Sequence, residues 1–133
     1  MKIMDCGPNP FVANVKMIAE ENDKFRVAIW TGGCVQMTLM CIEPHDDIGM
    51  EVHEDTDQII RVECGRAMVK MGKSPRRLEC CKCIEEGDVV FVPAGTWHDI
   101  INTEDTPLKL SSVYAPPHHP RGTVHCTKAD AED

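Results

Sequence analysis

Residues 87–102 read GDVVFVPAGTWHDIIN, and this stretch decides the fold of the chain. The Gly-Asp pair that opens it is a turn signal, and the apolar run VVFV that follows predicts a strand. Pro93 ends the pairing of that strand because proline donates no backbone hydrogen bond, and Gly95 allows a second tight turn. His98 then stands in the next predicted strand, WHDIIN. The stretch therefore predicts a hairpin that points one imidazole into a barrel.

A second candidate segment lies upstream of this hairpin. Glu51, Val52 and His53 alternate as in a strand, which places Glu51 and His53 on the same face. Gln58 follows five residues after His53, and Gly65 closes the segment. These polar side chains are candidate partners of His98.

Both segments resemble the two motifs of the cupin family. Residues 87–102 match every position of the second motif, G-x5-P-x-G-x2-H-x3-N. The upstream segment keeps the spacing of the first motif, H-x-H-x(3,4)-E-x6-G, but Glu51 stands where the first His is usual and Gln58 where Glu is usual. The opening Gly of that motif is absent, and His45 lies at its offset. The resemblance spans residues 36–114 and implies a single-domain cupin with a variant first motif.

The resemblance extends into the tail. Its sequence APPHHPRGTVHCTK is similar to tails of the form APP-x-HP-x-GTVH-x-TK in a group of bacterial single-domain cupins. Members of this group share DIG-x-EVH and DQ in the first motif and are mostly of unassigned function. Some carry a mannose-6-phosphate isomerase label by analogy of fold, and fold does not fix function.

Short predicted strands separated by Gly and Pro turns, with almost no helix, are typical of a β-sandwich or barrel. The resemblance to cupins implies a jelly-roll β-barrel. We therefore expect an all-β chain that forms one cupin domain over residues 1–133, with the barrel core at about 25–115 and an extended tail at 116–133. Asn14 predicts the cap of one short N-terminal helix. The predicted strands cover residues 25–30, 34–43, 50–53, 57–64, 66–71, 79–84, 89–92, 97–102 and 107–115.

The composition excludes several partners. A net charge of −8 argues against nucleic acid and anionic membranes, because both need a basic surface. The first residues lack an apolar run, and no stretch approaches the ~20 apolar residues of a membrane helix, so we expect a cytoplasmic protein. Its eight cysteines are then expected to be free thiols. Cys80, Cys81 and Cys83 could bind a soft metal, but we expect small, half-buried hydrophobic side chains there.

The resemblance implies a metal site formed by Glu51, His53, Gln58 and His98. A buried carboxylate costs free energy unless something pairs with it, and a metal ion would do so. Two imidazoles and oxygen donors suit one divalent ion of Mn, Fe, Co, Ni or Zn. Glu51 in place of His adds a negative charge and Gln58 in place of Glu removes one. This set therefore carries the same charge of −1 as the usual three His and one Glu. The alternatives are that the two histidines only hydrogen-bond inside the barrel, that Glu51 faces solvent, and that Gln58 bridges backbone groups.

Three functions stay open at this point. The first is a metal-dependent enzyme, such as an isomerase or oxygenase, on a small polar or sugar-like molecule, with Glu51 as a base. The second is a non-catalytic module that binds a small-molecule ligand, and the third is a decayed site kept as a scaffold. A sugar-phosphate isomerase is disfavoured because only Arg121 and Lys128, near the tail, offer a phosphate a positive charge.

We expect a homodimer, because residues 25–30 form an apolar candidate for an unpaired edge strand. The tail begins with a stiff Ala-Pro-Pro arm, and Gly122 allows a turn after it. We expect the segment after this turn to fold back on the barrel or its partner, with Val124 buried and His118 or His125 near the pocket mouth. A solvated tail is the alternative.

Overall fold

The computed structural model describes residues 2–132 of the chain. Within this range lie two short helices, α1 (Val15–Glu21) and α2 (Lys128–Ala131). The strands of the same range are β1 (Arg26–Thr31), β2 (Gln36–Ile42), β3 (Asp57–Cys64), β4 (Arg66–Gly72), β5 (Cys80–Glu85), β6 (Val89–Val92), β7 (Trp97–Asn102), β8 (Leu108–Ala115) and β9 (Val124–His125). Neither helix is long and apolar enough to cross a membrane.

The strands form a jelly roll of two antiparallel sheets, as expected. The larger sheet has six strands in the order β6-β3-β8-β2-β1-β9, and the smaller has three in the order β5-β4-β7. The predicted strands agree with the observed ones to within two residues at each end, apart from the one at 50–53. The N-terminal helix is also confirmed, because the Asn14 side chain accepts a hydrogen bond from the Met17 backbone at 3.1 Å.

The strand predicted at residues 50–53 is wrong. Glu51 forms only an isolated bridge to His98, in which each residue donates its backbone N–H to the carbonyl of the other, at 3.0 and 2.9 Å. Gly49 has φ +92°, and the chain bends again at residues 54–55, so the stretch between is too short for a ladder. The single bridge still fixes Glu51 beside His98.

The inner face of the larger sheet is divided into an apolar and a polar end. The main core cluster takes apolar side chains from both sheets and fills one end, with Val62, Ile100 and Leu110 fully buried. At the other end the cross-strand rows are polar. These inward side chains, all buried, are Gln36, Thr38, Gln58, Ser112 and Tyr114. A polar ligand can be bound at this end of the barrel, while the apolar core at the other end stays closed to water.

Helix α1 packs on the outer face of the larger sheet. Ile18 and Ala19 of the helix join Val27, Ile29 and Leu39 of β1 and β2 in a second buried cluster. Burial of each larger aliphatic side chain stabilises the fold by roughly 1.5–3 kcal/mol. The six-stranded sheet is therefore covered on both faces near β1 and β2, which makes it a rigid wall for the polar end of the barrel.

The tail folds back on the barrel, and this overturns one expectation about the dimer. Strand β9 pairs with β1, with Arg26 opposite His125 and Val27 opposite Val124. Strand β1 is therefore covered by the chain's own tail and is not the unpaired edge that residues 25–30 suggested. The expected burial of Val124 is wrong, since its side chain is 51% exposed. The reason is that β9 is the last strand of the sheet, beyond the part that α1 covers.

The cysteine cluster is also more exposed than expected. Cys80, Cys81 and Cys83 are exposed rather than half-buried, because β5 is the edge strand of the smaller sheet. Cys81 Sγ lies 3.4 Å from Met68 Sδ on the neighbouring strand. The eight cysteines, all within residues 2–132, are free thiols in the structure.

Candidate metal centre

Glu51, His53 and His98 converge at the polar end of the barrel. Their candidate ligand atoms all lie within 4.8 Å of one another, and no other three His, Cys, Asp or Glu side chains in residues 2–132 do so. Nε2 of His53 is 3.3 Å and Nε2 of His98 is 3.4 Å from Oε1 of Glu51. These are ion-pair separations, and neither nitrogen makes a hydrogen bond. The group could therefore hold a metal ion.

Residues 87–102 place His98 inside the barrel as expected, but the predicted hairpin is wrong, because β6 pairs with β3 in the larger sheet and β7 pairs with β4 in the smaller one. His98 lies on the inner side of β7 and is fully buried. Its Nδ1 is 3.0 Å from the Thr96 carbonyl, and because a carbonyl only accepts, Nδ1 carries the proton. In the neutral ring Nε2, the atom that faces Glu51, then has a free lone pair and can bind a metal.

Backbone contacts join the two motifs. The Gly95 N–H donates to the His53 carbonyl at 2.8 Å, next to the bridge between Glu51 and His98. Gly95 has φ +82°, in the left-handed region that favours glycine, so its place in the turn between β6 and β7 has a conformational reason. The turn of one motif thus holds the histidine of the other.

His45 departs from the first motif in a way that the backbone explains. It stands at the offset of the motif's opening Gly and has φ +61°, which is also left-handed. Its Nε2 lies 2.6 Å from Oδ1 of Asp105 on the exposed side of the chain. His45 therefore takes the conformation of the missing glycine and does not join the group around His98.

The environment of Glu51 decides its charge. Burial alone would raise the pKa of this carboxyl, but the two imidazoles beside it, His53 and His98, act in the opposite direction. Their effect is the larger, and the pKa of Glu51 lies well below its usual range. The carboxylate is therefore ionised, and its alternative role as a solvent-facing residue does not fit its largely buried position.

Gln58 lies on the inner face of β3 and is buried. Its Nε2 donates to Oγ of Ser112 at 2.7 Å, which turns the amide so that Oε1 has no hydrogen-bond partner among residues 2–132. Gln58 therefore does not bridge backbone groups, and its free atom is the one that binds cations.

Histidines of the tail lie above this group. The His118 ring packs against His53 with 4.0 Å between ring centroids, and His118 itself is exposed, at the mouth of the barrel. Nε2 of His119 is 3.3 Å from the Tyr114 hydroxyl. The expectation that a tail histidine approaches the pocket is confirmed for His118. His125 lies farther out, against Arg26.

The sequence interpretation missed Arg26 altogether. It treated residues 25–30 as an apolar edge strand, yet Arg26 lies opposite Met40 on the inner face of the sheet and is only 4% exposed. A cavity of about 250 Å³ is lined by Arg26 and Glu51 together, with Lys128 at the side of α2. Strand alternation could have revealed it, because Arg26 faces the opposite side of the sheet from Val27 and Ile29.

The comparisons with known proteins agree with this architecture. The profile of the cupin domain family matches residues 38–114, and the chain therefore belongs to the cupin family. It is 52% identical to the uncharacterised protein YrkC of Bacillus subtilis over 129 residues, which are 97% of this chain and 69% of YrkC. An uncharacterised protein of Acanthamoeba polyphaga mimivirus is 39% identical over 115 residues, 86% of this chain and 70% of that protein.

A solved structure is similar over nearly the whole chain. The crystal structure of the Bacillus halodurans protein BH2720 has a TM-score of 0.96 and 48% sequence identity, and 98% of each chain is covered. Because 98% of this chain is covered, the similarity includes the tail. The family profile, in contrast, ends at residue 114. Cupin domains often bind small molecules and divalent metals.

Proposed function

We propose that this chain binds one divalent metal ion through Glu51, His53 and His98, with Gln58 as a fourth donor. We further propose that it is a metal-dependent enzyme acting on a small polar or sugar-like molecule. The metal is Mn, Fe, Co, Ni or Zn, the ions that two imidazoles and two oxygen donors suit.

The observation that supports the proposal is a set of unpartnered donor atoms in a closed barrel. Nε2 of His53, Nε2 of His98 and Oε1 of Gln58 are buried and make no hydrogen bond within residues 2–132. Leaving a buried polar group unpaired costs about 1–3 kcal/mol, so three such atoms at the polar end of one barrel are expensive. A metal ion would satisfy all of them together.

The chain's own residues divide the work. A bound metal supplies a Lewis acid or an O2-binding centre. Glu51 is the member of the set that lines the cavity, and its side chain is 28% exposed whereas those of the histidines are nearly fully buried. This supports Glu51 as the base, which would accept a proton from a bound molecule after leaving the metal. His118 covers His53 at the mouth and would contact the molecule from outside.

Metal analysis of protein made without an affinity tag tests the proposal. We expect close to one equivalent of a transition metal in the parent protein and its loss in His53→Ala and His98→Ala. His45→Ala is the matched control, because His45 pairs with Asp105 away from the site. Equal metal content in all four proteins would refute the site.

A non-catalytic module that binds the same kind of molecule is the alternative. The two can be separated in D2O, where a base that removes a carbon-bound proton exchanges it with solvent. We expect NMR to show such exchange for a member of a panel of small sugars and sugar acids, and to show none with Glu51→Gln. A ligand that binds tightly and is never changed would favour the module. Of the two cations weighed for a sugar phosphate, Lys128 is paired with Asp46 and Asp47, whereas Arg26, a third cation, lines the cavity.

We also propose a homodimer in a reducing compartment such as the cytoplasm. The free thiols suit that compartment. For the interface, β6 is a terminal strand of the larger sheet, and its Phe91 lies opposite Ile59 on β3 with both side chains exposed. A paired edge with an apolar face is a common solution to such exposure. This replaces the interface that residues 25–30 suggested.

A further inference from the structure

We propose that the cavity beside Glu51 takes a small molecule that carries a carboxylate, and that Arg26 is the residue that binds this carboxylate. The inference rests on the proposed function in one respect, since it names the ligand of the same pocket. The inference depends on Arg26 and its surroundings, so it can be tested independently of the metal site.

Arg26 is a buried cation without an anionic partner. Its side chain points into the barrel from β1, opposite Met40, and the residue is 4% exposed. Within residues 2–132 no carboxylate oxygen lies within 4.0 Å of its guanidinium, although the chain has 22 acidic residues. A buried charge is normally paired, so this position needs an explanation outside the described chain.

The contacts that Arg26 does make are weak. Nη1 donates to Nδ1 of His125 at 3.2 Å, Nη2 lies 4.0 Å from Sδ of Met40, and the guanidinium carbon is 5.2 Å from the centre of the Phe25 ring. Nε is buried and has no hydrogen-bond partner in residues 2–132. A guanidinium has five N–H donors in a planar fork, and these contacts leave part of the fork without a strong acceptor.

Arg26 lines the cavity that Glu51 also lines. This cavity of about 250 Å³ is large enough for a molecule of a few carbons. Its other charged side chains are Lys128, which is paired with Asp46 and Asp47, and Glu132 at the exposed end of α2. Arg26 is thus the cation of the cavity whose charge is not already neutralised. A molecule bound to it extends toward Glu51 and its histidine partners.

The chemistry of the site favours a carboxylate over a phosphate. A guanidinium binds a carboxylate through two parallel hydrogen bonds, and the single charge of each cancels the other. A phosphate dianion needs more than one free cation or several backbone N–H groups, and the cavity offers one free guanidinium. The ligand class is therefore a small carboxylic acid, including acidic sugars, which extends the polar molecule proposed above.

Binding of simple probes tests the inference. Calorimetry and thermal melting would be measured with acetate and malonate, with malonamide as the uncharged match of malonate, and with inorganic phosphate. The proteins are the parent, Arg26→Met, Arg26→Lys and the control Arg121→Met, which removes an exposed arginine of the tail. Metal content is measured on the same samples, so that loss of the metal and loss of Arg26 are told apart.

We expect malonate to bind and to raise the melting temperature of the parent and of Arg121→Met, and malonamide to do neither. In Arg26→Met we expect affinity for malonate to fall by about 10- to 100-fold, because charge-assisted hydrogen bonds are lost. Arg26→Lys keeps the charge without the fork and is expected to lie between them. Metal content should be the same in all four.

A structural role for Arg26 makes the opposite prediction for stability. If Arg26 exists for the ligand, replacing an unpaired buried cation by Met leaves the melting temperature of the ligand-free protein unchanged or raises it. A folded Arg26→Met protein that binds malonate as the parent does would overturn the inference, as would tighter binding of phosphate than of both carboxylates. Failure of the parent to bind either carboxylate overturns it too. A parent that binds malonate through Arg26 but contains no metal would leave it standing and refute the metal site.

Discussion

Gln36 binds the backbone of His119 at both of its polar groups. Oε1 of Gln36 accepts from the His119 N–H at 2.9 Å, and Nε2 of Gln36 donates to the His119 carbonyl at 2.9 Å. The same Oε1 also accepts from the His118 N–H at 3.2 Å. One fully buried side chain therefore fixes the two tail residues that cover the candidate site.

Replacement of Gln36 should release the tail. In Gln36→Leu these three hydrogen bonds to the tail are lost, together with a fourth from Nε2 of Gln36 to Oγ1 of Thr31 at 3.0 Å, and we expect a loss of about 1–3 kcal/mol in the free energy of unfolding. Cleavage by trypsin at Arg121 should become faster, because the segment is no longer docked. Unchanged cleavage at Arg121 in a folded variant would contradict this role of Gln36.

Gly95→Ala should weaken both the fold and the metal site. The cost is conformational rather than steric, because an added Cβ would meet only Oε2 of Glu54 at 3.7 Å while φ is +82°. A left-handed residue other than glycine costs roughly 1–2 kcal/mol. Urea unfolding measures it. Gly33→Ala is the matched control, since Gly33 has open space around it and no positive φ, and it should have little effect.

The pH dependence of stability should contain a contribution from His119. Burial and the charges of Arg26 and His118 lower the pKa of this imidazole to about 3, from 6.5 in the unfolded chain. Below pH 6.5 the unfolded chain therefore binds a proton that the folded chain does not. Stability from this residue is full above pH 6.5 and is lost as the pH falls toward 3.

Urea titrations from pH 7 to pH 4 measure this effect. Histidines titrate in the upper part of this range and carboxylates in the lower part. His119→Asn should lose less stability over the range than the parent does. His45→Asn, which changes an exposed histidine, should follow the parent curve. Parallel curves for parent and His119→Asn would show that His119 is protonated as easily in the fold as outside it.

A single charged substitution at the proposed interface should dissociate the dimer. The chain mass is 14.9 kDa, and light scattering at micromolar concentration should give twice that value for the parent. Phe91→Glu should give a monomer, because Phe91 is 67% exposed at the centre of the proposed interface. Val12→Glu is the control, since Val12 is 95% exposed in the N-terminal segment and outside that interface. A dimer that survives Phe91→Glu would place the interface elsewhere.

Local sequence patterns predicted most of the barrel and part of the site. Strand alternation put Glu51 and His53 on one face, and turn residues such as Gly95 placed His98 opposite them. These are short-range effects, which is why they can be read along the chain. The strand expected around Glu51 was wrong because a single bridge to His98 replaces a ladder there.

Contacts between distant segments were not predictable in the same way. The pairing of β9 with β1 joins His125 to Arg26, 99 residues apart, and no local pattern announces it. The role of Gln36 depends likewise on a tail 83 residues away. Arg26 differs, because its alternation with Val27 was visible. Residues 25–30 were interpreted as an apolar edge strand, whereas the structure places Arg26 inside the barrel.

The docked tail also makes access to the site a matter of local opening. Gln36 holds the backbone of His118 and His119, and the His118 ring packs on His53. Strand β9 is the outermost strand of the larger sheet, so the tail can separate from β1 while the other strands stay paired. We therefore expect an ion or a ligand to exchange through transient release of the tail, without unfolding of the barrel.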